Sequence, residues 1–172
     1  MTGADLTDPS LRAELERRLD GWQPDYTGTL LFIRDGDRLL LIRKKRGHGA
    51  GKINAPGGKV DAGETPEESA VRETREEVGV SALDPVHMAV LRFVDRVDPQ
   101  WLGHVFVAEH HEGTPLETDE AEPFWVPLDA IPYSGMWEDD RIWLSEVLAG
   151  RPVRGDFLFE SGRLLSYALR EW

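Results

Sequence analysis

Apolar positions fall in short runs along this chain, and the spacing between them changes where helices are predicted. Over residues 8–20 (DPSLRAELERRLD), Leu11, Leu15 and Leu19 recur every four positions. That predicts a short amphipathic helix, with Ser10 as its N-cap candidate. Two apolar runs, Thr29–Ile33 and Leu39–Ile42, flank Asp35-Gly36-Asp37 and predict a β-hairpin. A glycine-rich stretch, Gly47-His48-Gly49-Ala50-Gly51, then leads to Pro56-Gly57-Gly58. From Pro66 to Val78 the pattern is helical, with proline in the first turn and Gly79 as the stop. Further strands are predicted at about 86–95, 103–109 and 122–126, and a helix at Asp139–Leu148 that stops at Gly150. Phe157–Phe159 and Leu164–Leu169, separated by Glu160–Arg163, predict a closing hairpin. This mixed order implies an α/β or α+β layered fold. One domain spans residues 28–172 in this reading. Residues 1–27 form an extension whose helix packs on the domain, with a contact between copies as the alternative.

Composition narrows the class. The chain has 172 residues, 40% apolar and 30% charged, which fits one globular domain. No apolar run approaches the ~20 residues needed to cross a bilayer. The opening MTGADLTDPS lacks the basic and apolar regions of a signal peptide. Without cysteine, disulfides and thiolate metal sites are excluded. A cytoplasmic protein with no membrane partner is therefore expected, as a monomer, with a dimer as the alternative. The net charge of −12 argues against polymeric nucleic acid as a partner. It leaves room for a small anionic substrate where local cations or metal offset the acidic background. One basic stretch, Arg43-Lys44-Lys45-Arg46, stands out against that background.

The segment from Gly58 to Val80, GKVDAGETPEESAVRETREEVGV, carries the candidate chemistry. A helix would stack Glu73, Glu76 and Glu77 (i, i+3, i+4) on one face, where like charges repel by a few tenths of a kcal/mol per pair. A hard divalent cation removes that repulsion, because carboxylate oxygens are its preferred ligands. It also neutralises phosphate charge and activates water. The alternative for any such helix is a solvated acidic face.

The spacing of the whole segment decides between them. It resembles the Nudix hydrolase signature, G-x5-E-x7-R-E-U-x-E-E-x-G-U with U aliphatic. The matching positions are Gly58, Glu64, Arg72, Glu73, Glu76, Glu77, Gly79 and Val80. Seven fixed positions arise by chance in on the order of 10⁻⁶ of chains this long, so the acidic-face reading gives way. Thr74 departs mildly from an aliphatic position and keeps a methyl group for packing. The resemblance implies an α/β/α sandwich with a mixed sheet and a loop–helix–loop metal site. It implies Mg2+, with Mn2+ as a substitute, held by Glu73, Glu76, Glu77 and a carbonyl of Gly57 or Gly58. It further implies that Arg72 orients the carboxylates by bidentate pairing, with Glu64 near that network. Glu77 is the glutamate most expected to be essential; which residue deprotonates water varies in the family.

Outside the box, KKRGHGAGKINAPGGKV, the segment from EGTPLETDEAEP to WEDDRIW, and LLSYALREW resemble the MutT-like branch, in particular the animal-type oxidised purine nucleoside triphosphate hydrolases. That resemblance implies a nucleotide site built from Thr29, Lys44, Asn54, Gly57, Gly58, Lys59, Trp137, Asp139 and Asp140. Trp137 offers an indole to stack on a base. Two adjacent carboxyls resist double ionisation, so one protonated and one ionised group could donate to one base-edge atom and accept from another. Read alone, Asp139-Asp140 is ordinary helix capping, Asn54 a turn or strand-edge residue, and Lys44 a basic hairpin edge. Glu120 matches a further metal ligand or base, the alternative being one exposed acid among many. His48, Asp95 and Trp101 depart from the branch pattern and make the pocket wall more polar or reshape it. The readings left open are sanitation of oxidised purine nucleotides, hydrolysis of pyrimidine nucleotides, ADP-ribose or dinucleoside polyphosphates, and a non-hydrolytic nucleotide sensor, against which the intact box argues.

Overall fold

The computed structural model of the protein describes residues 5–172, so the first four positions of the predicted extension lie outside it. Helix α1 (Pro9–Leu19) precedes strands β1 (Tyr26–Asp35), β2 (Arg38–Lys44) and the two-residue β3 (Ile53–Asn54). Helix α2 (Pro66–Val78) is followed by β4 (Ser81–Leu83), β5 (Val86–Asp95), β6 (Trp101–Ala108), β7 (His110–Glu112) and β8 (Ala121–Pro127). A 3-10 turn at Tyr133–Gly135 leads to α3 (Asp140–Leu148), and β9 (Val153–Glu160) and β10 (Arg163–Glu171) close the chain.

One mixed sheet runs β10-β9-β5-β6-β1-β2-β3, with β8 also paired to β2. The β1–β6 and β5–β9 pairs are parallel and the remaining pairs are antiparallel. Strands β4 and β7 form a separate ribbon. The sheet is covered on both faces, which explains why β1 and β2 read as continuous apolar runs. Phe32, Leu39 and Leu41 face α3 and pack with Trp143, Leu144 and Val147. Leu31, Ile33, Leu40 and Ile42 point the other way, towards Ala70 and Val78 of α2. Leu15 of α1 is fully buried with Val94 and Leu158, so the N-terminal helix is docked on the domain.

Helix ends follow local chemistry. Thr65 and Glu68 form a capping box at α2 (3.1 and 3.0 Å), and Gly79 closes that helix at φ 72°. The expectation for α1 needs correction: Asp8, not Ser10, is the N-cap, accepting from the Ser10 amide at 2.8 Å. Pro9 fixes the first helical φ, which places the cap one residue before it. Strand β6 begins at Trp101 rather than 103, because Trp101 and Leu102 pair with Tyr26 and Thr27. The same pairing puts the expected boundary between 27 and 28 inside β1. Strands β3, β4 and β7 were not predicted; two or three residues leave no readable period. Among the described residues no helix is long and apolar enough to cross a membrane.

The site originates where β1 and β2 part. They pair only from Ile33↔Leu40 to Asp35↔Arg38. Beyond that point the segment 53–60 wedges between them. Ile53 and Asn54 pair with β2, while the carbonyls of Pro56 and Gly58 accept from the Leu31 and Thr29 amides at 2.9 Å each.

Candidate active site

The wedge brings α2 to the cleft. Gly57 lies so close to β1 that a Cβ would stand 1.8 Å from the Thr29 carbonyl oxygen. At Gly58 a Cβ would stand 2.4 Å from Cδ of Glu73. Only glycine lets the backbone pass between a strand and a carboxylate in this way. Arg72 holds the surrounding acids: Nε and an Nη donate to Glu64 at 2.6 and 2.9 Å, and the other Nη donates to Glu73 at 3.0 Å and Glu76 at 3.1 Å. The bidentate pair and its backbone contact to the Lys59 carbonyl fix the guanidinium plane. Thr74 is fully buried and its hydroxyl donates to the Ala70 carbonyl at 2.8 Å, so the departure from an aliphatic residue leaves no polar group unsatisfied.

Glu77 is buried, and its Oε2 has no hydrogen-bond partner. Burial pushes its pKa up to about 8; Lys44 opposes this, Glu73 and Glu120 reinforce it, and the Gly57 amide opposes it weakly. Glu73 is raised too, by burial against the pull of Arg72, with Glu76 and Glu120 adding to the rise. An orphaned buried carboxylate oxygen among further carboxylates is a donor set that suits a hard divalent cation. The Gly58 carbonyl already accepts from Thr29, which leaves the Gly57 carbonyl as the backbone candidate. Among the described residues no three acidic or histidine side chains converge as a preformed cage. Glu73 and Glu76 each direct an oxygen to Arg72 instead.

A cavity of about 730 Å³ opens beside these glutamates. Of the residues expected at the site, Thr29, Lys44, Asn54, Gly57, Gly58, Lys59, Glu73, Glu77, Glu120, Trp137, Asp139 and Asp140 line it. Arg72 and Glu76 do not. Glu120 sits on the rim, where it accepts from Arg46 at 3.1 Å. Asn54 accepts from the Ala55 amide at 2.8 Å through its side-chain oxygen, which orients the amide in the wall.

At the far end Asp139 and Asp140 are both 2% exposed. Asp139 holds the N-cap position of α3, but its side chain makes no capping hydrogen bond; its Oδ2 accepts from the Trp143 indole at 2.7 Å. Asp140 accepts from the Trp137 amide at 3.1 Å. Burial raises the pKa of both, most for Asp140, where the neighbouring Asp139 charge adds to it. Both shifts favour holding a proton between the two carboxyls over ionising both. Lys52, whose Nζ lies 4.7 Å from the Trp137 ring, acts against the rise at Asp140.

The three departures share this cavity. His48 stacks between Trp101 and Trp137, 5.2 Å from each, with interplanar angles of 25° and 15°. Partial burial and the charges of Lys44 and Lys59 hold its pKa below the ordinary value, against Asp98 and Asp95. Sequence reasoning missed Tyr26, Lys52, Phe93 and Phe159 in the lining. Phe93 and Phe159 were concealed as members of apolar strands, since alternation shows that a residue faces inward but not that its side of the sheet is hollow.

With this geometry in hand, kinship becomes informative. The NUDIX domain family matches residues 25–147. The oxidized purine nucleoside triphosphate hydrolase of Mus musculus is 42% identical over 146 residues, covering 83% of this chain and 93% of that protein. The protein of the same name from Danio rerio is 41% identical over 134 residues, covering 77% and 85%. Among solved structures, the mutator MutT protein of Bacillus halodurans superposes with a TM-score of 0.74 at 30% identity, covering 84% of this chain and 97% of that one. The fold and the glutamate-lined cleft define a Nudix hydrolase, and this chain belongs to that family. Within it the chain is most similar, among these relatives, to the oxidised purine nucleoside triphosphate hydrolases.

Proposed function

We propose that the protein hydrolyses oxidised purine nucleoside triphosphates, such as 8-oxo-dGTP, to nucleoside monophosphate and pyrophosphate, and so sanitises the nucleotide pool ahead of DNA synthesis in the cytoplasm. The observation that carries this reading is the buried Asp139–Asp140 pair beside Trp137, in the same cavity as Glu73 and Glu77. One protonated and one ionised carboxyl can donate to one atom of a purine edge and accept from another, while the indole supplies a stacking face. Asn54 adds an amide on the same wall.

At the other end, Glu73, Glu76, Glu77 and the Gly57 carbonyl would hold Mg2+, for which Mn2+ can substitute. When bound, the ion neutralises phosphate charge and activates water. Lys44 and Lys59 line the cavity and would offer cationic groups to the polyphosphate. Water attacks a phosphorus of the chain, the bridging P–O bond on its far side breaks with the electron pair staying on the departing oxygen, and nucleoside monophosphate and pyrophosphate are released. Among the carboxylates on the wall, Glu77 is best disposed to take the water proton, since its Oε2 is buried and otherwise unpartnered. Arg72 acts through its neighbours by holding Glu64, Glu73 and Glu76.

The deciding measurement is the ratio of kcat/KM for 8-oxo-dGTP over dGTP with Mg2+, with products identified. A large ratio with release of monophosphate and pyrophosphate supports the reading. A ratio near one, or no turnover of either, refutes the base assignment. One observation favours a second reading: His48, Asp95 and Trp101 all stand on the cavity wall, so a different nucleotide is the next candidate.

A further inference from the structure

The N-terminal extension reaches the cavity wall through a hydrogen-bonded hub. Trp22, just beyond α1, donates its indole N–H to Gln100 Oε1 at 2.8 Å. Gln100 ends the β5–β6 connection, one residue before Trp101. Its Oε1 also accepts from the Asp95 amide at 3.0 Å, and its Nε2 donates to the carbonyls of Asp95 and Asp98 at 2.8 and 3.3 Å. The extension grips its backbone as well. The Gln100 amide donates to Asp25 Oδ2 at 2.7 Å, and the Asp25 and Tyr26 amides donate to the Gln100 carbonyl at 2.8 and 3.1 Å. Glu14 of α1 accepts both Nε and an Nη of Arg96, which lies in the same loop. Leu15, Leu19 and Trp22 pack beside Val94 and Leu158 beneath it.

That loop is also pocket wall, for Asp95, Asp98, Pro99 and Trp101 all line the cavity. The Trp101 ring stacks on His48, and His48 stacks on Trp137. Contacts therefore run unbroken from Trp22, through Gln100, Trp101 and His48, to the ring beside the buried aspartates.

We infer that Trp22 and Gln100 are positioning residues for base recognition, fixing the 95–100 loop so that Trp101 and His48 present a set wall opposite the base. The inference rests on the reading that the Trp137 end of the cavity receives the base. A loop freed from the hub would have to be ordered by the incoming nucleotide, and that cost falls on binding rather than on the chemical step.

The test uses the full chain and the nucleotide that the wild type turns over best. Trp22→Phe keeps the ring packing and loses only the N–H. Gln100→Glu keeps both acceptor contacts and loses two donors, and Gln100→Leu loses all four. KM is expected to rise roughly 3–10-fold in Trp22→Phe and Gln100→Leu, and less in Gln100→Glu, with kcat within about twofold of wild type. The NMR resonances of the His48 ring protons, shifted upfield between two indoles, are expected to move downfield in step. Arg12→Ala removes the donation from Arg12 to the Tyr167 carbonyl and loosens α1 without touching the hub, so KM should hold. Unchanged KM and unchanged His48 resonances in the hub variants would overturn the inference, whatever happens to Tm. An equal rise in KM for Arg12→Ala would do so too, because general loosening would then explain it. Should the wild type show no preference for oxidised purines, the proposed substrate fails while this comparison still decides the role of the hub.

Discussion

Asp139 and Asp140 set stability against use in two adjacent side chains. Their folded pKa values lie above the ordinary 3.8, so their contribution is most favourable below that pH and is lost as pH rises through the folded values. At neutral pH the fold therefore carries a cost at this site. Asp140→Asn keeps an oxygen for the Trp137 amide and removes the carboxyl whose ionisation burial and Asp139 oppose most. It should raise Tm at pH 7.5, each 1 kcal/mol appearing as roughly 2–4 °C, and flatten the pH dependence of stability above pH 4. The same change should lower the selectivity for oxidised over normal guanine nucleotides, measured as the ratio of kcat/KM values. Retention of full selectivity by both Asp139→Asn and Asp140→Asn would remove the basis for the base assignment. Glu77→Gln should reduce kcat by roughly 10²–10⁴-fold with the fold intact by circular dichroism. In sequence these two sites differed in legibility. The box glutamates declared themselves through spacing, whereas Asp139 was equally consistent with a helix cap. Asp139 does stand at the N-cap, and only the structure shows its carboxylate turned to the indole of Trp143, one turn further on, instead of to the helix amides.

At the scale of elements, the wedge between β1 and β2 positions the chemistry, and its tolerance is narrow. Gly57→Ala would drive a methyl group into the Thr29 carbonyl, and relief requires β1 and the wedge to separate. Loss of at least about 1–3 kcal/mol in urea unfolding is expected, together with loss of activity, since the same movement displaces Gly58 from Glu73. Helix α1 shows a different sensitivity. Hydrogen bonds from Arg96 hold the Glu14 carboxyl at about 2, against burial and helped by Arg18. A depressed carboxylate stabilises the fold above its unfolded value of 4.5, and that contribution is lost as pH falls towards 2. Glu14→Gln should therefore show a flatter loss of stability than wild type between pH 4.5 and 2. The major helices and longer strands were readable because each spans seven or more residues of periodic or continuously apolar sequence bounded by turn or capping residues. The wedge was not, because glycines and a two-residue strand have no period, and its path follows from a strand that it meets only in three dimensions. The hub at Gln100 was invisible for a similar reason: Trp22 is 78 residues away in the chain.

Across the whole molecule, the formal charge of −12 makes the acidic cleft a place where added positive charge should stabilise the fold. Glu73 and Glu77 are both raised by burial, with Glu120 adding to each rise and Glu73 adding to that of Glu77, so the fold without cation holds them against their preference to ionise in water. A ligand that binds only the folded state stabilises it by RT ln(1 + [L]/Kd), about 2.7 kcal/mol at a hundredfold excess over Kd. For a chain of this size that corresponds to a Tm increase of roughly 5–10 °C. Thermal unfolding in saturating Mg2+ against EDTA should show this shift in the wild type. Glu77→Gln should start from an equal or higher Tm in EDTA, because the cost of holding a buried carboxyl un-ionised is gone, and should gain little from Mg2+. A surface variant such as Glu16→Gln, far from the cleft on α1, should respond to Mg2+ as the wild type does. If Glu77→Gln kept the full Mg2+ shift, the stabilising ion would be held elsewhere on the acidic surface, and Glu77 would have to act on water without holding metal.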